Sequence, residues 1–378
     1  MPISAVDTIS LAFQHTKQQL FLPFRFGQWI KLATVGLLAG EVGSSGGCNG
    51  STFNFPHQPG ASRHFANSGF LNSGFPDTGL ASKDPMLFAG LIAVLIVAGL
   101  LLGIILMYVS SVMRFILFDS VIAKDCRVRA GWNRRQGPGW RFFLWKLFYL
   151  VVMFAGLVIL VGIPAGFAFA AGWLNAPKQH VIALVLAGMG VFFVLTIFLL
   201  TLSLIYVLTK DFVVPQMALE NIGALEAWRR LWPMIKAEKG GYAGYIGMKI
   251  MMAIGAGIVI GIVTLILGLI IAVPTIGLSI IAVMTGKSAG LTWNAYTITL
   301  AVVVGSVLFA ILLFLISLIS VPVVIFFPAY SIYFFAARYP PLGAVIFPPV
   351  APVLSPQTAP LMPPEQPPSL PLAPEPAG

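Results

Sequence analysis

Five uninterrupted apolar runs, at positions 86–110, 145–173, 181–207, 247–273 and 299–326, constrain this chain more than any motif in it. Each exceeds the roughly 20 apolar residues that a helix needs to cross ~30 Å of hydrocarbon. A helix that is apolar all round has no face to offer to water, so such runs belong in lipid. A shorter sixth run covers residues 27–42. The composition agrees: 9% of residues are charged and the mean hydropathy is +0.94, whereas a soluble domain carries about 25% charge. The first run starts late, near residue 26, behind a polar amphipathic segment. It therefore reads as a retained helix and not as a cleaved signal peptide.

Charge sets the expected orientation. If six segments cross and the amino terminus is cytoplasmic, residues 1–31, 110–146, 207–249 and 327–378 lie inside and hold 18 of the 22 Lys and Arg; Arg63, Lys83, Lys178 and Lys287 stay outside. Positive charge in short loops resists translocation, so this division predicts a bacterial inner-membrane protein with both termini cytoplasmic. Omitting the first crossing changes the split to 15 against 7, which favours six spans over five. Trp29, Trp140, Trp145, Trp228 and Trp232 fall at the expected inner boundary, with Trp173 and Trp293 at the outer one. Amphipathic rings favour that depth.

The inner segments resemble one another. Amphipathic stretches at 9–31, 121–146 and 218–249 each lead into a span at Lys31, Lys146 or Lys249. The expected fold is an all-α membrane protein, with six transmembrane helices arranged as three hairpin repeats and with cytoplasmic interfacial helices. This domain covers residues 1–338. Pro164, Pro274 and Pro322 fall inside spans and predict helix kinks, because each leaves a carbonyl unpaired that neighbours must satisfy. The glycine pairs Gly36/Gly40, Gly99/Gly103 and Gly257/Gly261 allow close helix approach, within the bundle or in a homo-oligomer.

Two segments look non-membranous. Residues 43–85, rich in Gly, Ser and Asn, read as a flexible external loop. Residues 339–378 contain 14 of the 28 prolines and read as a disordered cytoplasmic tail. The two PxxP matches at 360–363 and 364–367 offer a docking peptide for a protein partner, although such matches arise freely in proline-rich sequence. Ser45-Gly46-Gly47-Cys48 only distantly matches a lipidation site, and Cys48 and Cys126 fall on opposite sides, so no disulfide is expected.

Motifs for metal binding, phosphate cradling and acyl transfer are missing, so no enzymatic activity, cofactor or metal is expected. The basic residues are grouped by membrane side and lack the platforms of a nucleic-acid binder, so nucleic acid is not an expected partner. The densest group, Lys124, Arg127, Arg129, Arg134, Arg135 and Arg141, faces anionic lipid in the expected topology, where each cation contributes about 1 kcal/mol. Membrane lipids are therefore the expected partners of this strip.

Three sequence blocks carry a resemblance. Ala5-Val6-Asp7 with Pro23-Phe24-Arg25-Phe26-Gly27-Gln28-Trp29, Asp211-Phe212-Val213-Val214-Pro215 with Ala227-Trp228, and Ala337-Arg338-Tyr339-Pro340-Pro341-Leu342 resemble an uncharacterised family of bacterial six-helix membrane proteins. That family is distantly similar to the membrane domain fused to some glycerophosphodiester phosphodiesterases. The likeness covers about residues 1–343, and with no soluble barrel domain present the hydrolase activity does not transfer. The reading at this level is a non-enzymatic integral membrane protein, an envelope scaffold or lipid-interacting component; a small-molecule or lipid transporter is the alternative.

Overall fold

The computed structural model describes residues 4–22, 24–41, 85–173, 175, 178–288 and 295–348, and these form helices and turns with no strand among them. Two short helices, α1 (Asp7–Phe21) and α2 (Phe26–Leu38), precede α3 (Pro85–Ala123) and α4 (Val128–Ala170). Helix α5 (Val181–Leu208) runs through a π-helical turn (Thr209–Val213) into α6 (Val214–Glu220). Then come α7 (Ala224–Ala237), α8 (Lys239–Ser288), α9 (Ala295–Ala336) and α10 (Pro340–Ile346).

Five helical segments are long and apolar enough to cross a membrane, so this is a helical membrane protein. They are also longer than a crossing requires. The 39 residues of α3 reach about 58 Å and the 50 of α8 about 75 Å at 1.5 Å per residue. The surplus has a clear use. In α3, Val94–Leu106 are exposed apolar side chains, whereas Val112, Phe115, Ile116, Leu117 and Phe118 are buried. The same switch occurs in α9, between exposed residues 300–311 and a buried set that includes Val321, Ile325, Tyr330, Phe334 and Phe335. Each long helix thus presents one part to lipid and packs the other into a compact cap with α1, α2, α6, α7 and α10.

The expected crossing over 27–42 takes a different form. Helix α2 has 13 residues, about 20 Å, less than a membrane thickness. It runs antiparallel to the cap half of α3: Gln28 donates to the Lys124 carbonyl at 2.8 Å, while the Ala39 carbonyl accepts from Arg114 at 3.1 Å. Gly36 permits a close crossing of α9, since a Cβ there would lie 2.6 Å from Val324 Cγ1. The external loop expected at 43–85 lies outside the described residues up to position 84.

Two further expectations change. The amphipathic stretches appear as α1 and α7, but the middle one continues unbroken into its span as the start of α4. The tail does not begin as disordered chain at 339: Pro340 and Pro341 occupy the first turn of α10, where no intrahelical N–H is needed, and Leu342 is fully buried. Residues 349–378 lie outside the described set.

Candidate functional site

The cap's most unusual feature is a set of ionisable side chains gathered where the lipid-facing parts of the helices end. It starts with a turn. Helix α2 closes in a Schellman motif: Gly40 adopts φ +76°, its N–H reaches the Leu37 carbonyl, and the Glu41 N–H reaches Gly36 at 2.9 Å. Glu41 is thereby delivered into the cap, 3% exposed, with its carboxylate 2.6 Å from Arg114 Nη1 and in contact with Lys210 Nζ. Arg114 also donates to the terminal Ala39 carbonyl of α2, where a cation meets the negative end of the helix.

Lys210 and Asp211 sit on the π-helical turn, a local widening that recurs at functional positions. Lys210 faces Glu41, and Asp211 accepts from Tyr245 Oη at 3.0 Å and from Lys249 Nζ. The turn is held from the side by Trp228 Nε1, which donates to Thr209 Oγ1 at 3.0 Å. Lys146, 8% exposed, donates to Ser110 Oγ at 3.2 Å and stands 4.9 Å above the Phe142 ring. Arg114, Lys146, Lys210 and Lys249 are thus gathered around the carboxylates of Glu41 and Asp211. A cavity of about 30 Å³ lies against Glu41, Arg114, Lys210, Asp211 and Ser331, room for a single water by volume. The cluster ties α2, α3, α4, α5 and α8 together electrostatically. Among the described residues no three His, Cys, Asp or Glu side chains converge as a metal ion would require.

Sequence reasoning placed these cations at a boundary but did not bring them together. The nearest signal was the recurrence of Lys146 and Lys249 at two helix entrances; the corresponding Lys31 is exposed and stays outside the cluster.

The basic strip divides. Arg135 belongs to the interior: it is 8% exposed, bonds Asp119 through two nitrogens at 2.7 and 2.6 Å, and donates to the Ala218 carbonyl at the end of α6. Its expected contact with lipid is corrected accordingly, since a guanidinium so paired has no free face. Arg141 donates to the Asn221 carbonyl from an exposed position, and Lys124 to Gln18 at 2.8 Å. Arg127 makes a solvent-exposed pair with Asp125 that lowers the acid's pKa, chiefly through their hydrogen bond. Such pairs stabilise little. Arg129 and Arg134 are exposed with no protein partner among the described residues.

All three expected kink prolines lie within continuous helices. Pro322 leaves the Leu318 carbonyl without its helical donor, and Trp29 Nε1 supplies one at 2.9 Å. Beside Pro274, Thr275 donates its hydroxyl to Ile271 and Ala272. Trp29, expected as a membrane anchor, is therefore a helix-repair residue. A second polar contact joins α1 to the cap: His15 Nε2 lies 2.9 Å from the Val121 carbonyl and Nδ1 3.0 Å from Tyr333 Oη. Burial first, then Lys124, holds the His15 pKa below its ordinary value.

A family model described as a family of unknown function (DUF7544) matches residues 3–345, nearly the whole described fold. The chain belongs to DUF7544. No curated protein and no solved structure matches it. The family match carries no link to the phosphodiesterase-associated membrane domain.

Proposed function

We propose that this DUF7544 protein is a non-enzymatic component of the bacterial inner membrane whose cap faces the cytoplasm and holds anionic lipid against the inner leaflet. The observation that carries this reading is a stripe on α4. Arg134, Arg141 and Phe148 lie seven residues apart and so share one helix face, all three exposed. Exposed Trp140 flanks the stripe. A surface that passes from guanidinium to aromatic and then to aliphatic side chains matches the passage from headgroup to acyl chain.

The 18-to-4 charge division supports the orientation, and six crossings follow if residues 42–84 complete the passage begun at α2. A threefold hairpin repeat is part of the same reading, supported by the amphipathic segments that precede three of the crossings. The transporter alternative is less favoured. Coupled carriers place ionisable groups deep in the bilayer, whereas residues 85–113, 147–177, 181–209, 250–286 and 288–337 contain no Asp, Glu, Lys, Arg or His.

The test uses the full chain in nanodiscs of mixed anionic and zwitterionic phospholipid, one or the other brominated, with tryptophan quenching as the readout. The native protein should be quenched more strongly by the anionic species. Exchange of Arg127, Arg134 and Arg141, which follow one another at intervals of seven, together for Gln should reduce that preference at constant salt. An unchanged preference in the triple variant overturns the proposal.

A further inference from the structure

Between α4, α5 and α7, at the edge of the lipid-facing surface, lies a groove of about 340 Å³. This falls within the roughly 300–1,000 Å³ of small-molecule sites. Its α4 wall is Trp145, Phe148, Tyr149 and Val152, a spacing of three, one and three residues that places all four on one helix face. Leu202 and Ile205 of α5 form the opposite wall, and Trp228 and Trp232 of α7 close the end nearest the cap. The walls are ordered by their own contacts: Trp145 stacks on Tyr149 with ring centroids 5.4 Å apart, and Trp228 donates to Thr209 Oγ1.

Helix α7 gives the groove a charged rim. Ala224, Ala227 and Leu231 face the cap, while Leu225, Arg229, Trp232 and Lys236 follow one another at intervals of four, three and four on the exposed side. Leu225 is 76% exposed and Trp232 53% exposed, an apolar content that suits an interfacial helix. The neighbouring acids are occupied, since Glu220 and Glu226 both pair with Arg230. Lys236 contacts the Trp232 ring at 5.4 Å, and Arg229 has no protein partner among the described residues. The rim therefore offers two cations to an anion directly beside an aromatic slot.

We propose that the groove holds one acyl chain of a membrane phospholipid whose anionic headgroup rests on Arg229 and Lys236. The charge complementarity of the rim selects an anionic lipid, and the continuity of the walls with exposed Phe148 and Val152 makes the surrounding bilayer its source. This proposal rests on the lipid-facing orientation of the cap and shares Phe148 with the α4 stripe, but its cations, Arg229 and Lys236, are different ones. It converts general attraction into a bound lipid of defined stoichiometry.

Native mass spectrometry of the full chain in maltoside detergent, titrated with phosphatidylglycerol and separately with phosphatidylcholine, tests it. One phosphatidylglycerol should bind more tightly than the rest. Replacing Arg229 and Lys236 with Gln, at exposed positions, should weaken that first event by about thirtyfold, from about 1 kcal/mol per cation. Phosphatidylcholine binding should barely change. Filling the slot with Leu202→Trp should remove the event for both lipids. The Arg127, Arg134 and Arg141 variant should leave it intact, so failure of the stripe and failure of the groove give different patterns. Equal first binding of both lipids to the native chain, or an undiminished event in the Arg229/Lys236 variant, overturns the proposal.

Discussion

Exchange of Glu41 for Gln tests whether the ionic cluster organises the cap, because the amide keeps the shape and removes one charge. At an effective dielectric of about 20, unit charges at the 2.6 Å separation of Glu41 and Arg114 attract by roughly 6 kcal/mol. Desolvation of both groups offsets much of that in the native state. Once the carboxylate is gone, Arg114 and Lys210 remain buried without the charge that both of them face, and loss of one partner from a buried pair costs about 3–5 kcal/mol. Domains have only about 5–15 kcal/mol of stability, so the change should be large. Unfolding by a denaturing detergent in mixed micelles, followed by tryptophan fluorescence, measures it. Adding Lys210→Met should recover about 1–2 kcal/mol, because the two sites couple directly. A loss below about 1 kcal/mol, the range of exposed pairs, or a double variant less stable than the single one, refutes the argument.

Three other outcomes are expected. Trp29→Phe should cost about 1 kcal/mol by leaving the part-buried Leu318 carbonyl without a donor, and Pro322→Ala should offset part of that loss by restoring the helical N–H; equal effects of Trp29→Phe in both backgrounds would separate the two residues. Since His15 has a lowered pKa in the fold, the unfolded chain binds its proton first as pH falls, so stability is full above about 6.5 and declines below it. Unfolding midpoints at pH 8 and pH 5.5 should differ for the native chain, and the difference should shrink in His15→Gln. For topology, an impermeant thiol reagent should label Cys48 from the periplasm. Cys126, 1% exposed and with a raised pKa from burial, should stay silent, so the opposite face is best read at exposed Ala130→Cys. Labelling of both positions from one side contradicts the six-crossing topology.

The crossings were legible because lipid demands a simple code, an uninterrupted apolar run of sufficient length. Where the helices ended was not. Residues 111–123, 128–144 and 209–220 are mixed in character, and amphipathic surface segments have the same composition as helix extensions buried in a cap. Arg135 shows the difficulty: its partner Asp119 is 16 residues away on another helix, and nothing local separates it from exposed Arg134. The ionic cluster was equally hidden, as its members come from five helices and its register depends on a π-helical turn that no propensity marks. Gly40 was read as part of a packing motif, whereas its positive φ aims Glu41 into the cap.

Because each long helix passes from lipid into protein partway along its length, its two parts answer to different tests of fitness. In the most apolar stretch of the first four crossing helices no residue is buried, so any side chain of comparable oil solubility serves there. From Ser111 to Val121 of α3, or Ser317 to Ala336 of α9, most side chains are buried against cap neighbours of fixed shape. A saturation library would therefore show bands running across all five helices at one height, permissive of exchange among aliphatic residues on one side and intolerant on the other. The frontier between the bands would trace one surface of the membrane without a lipid being observed.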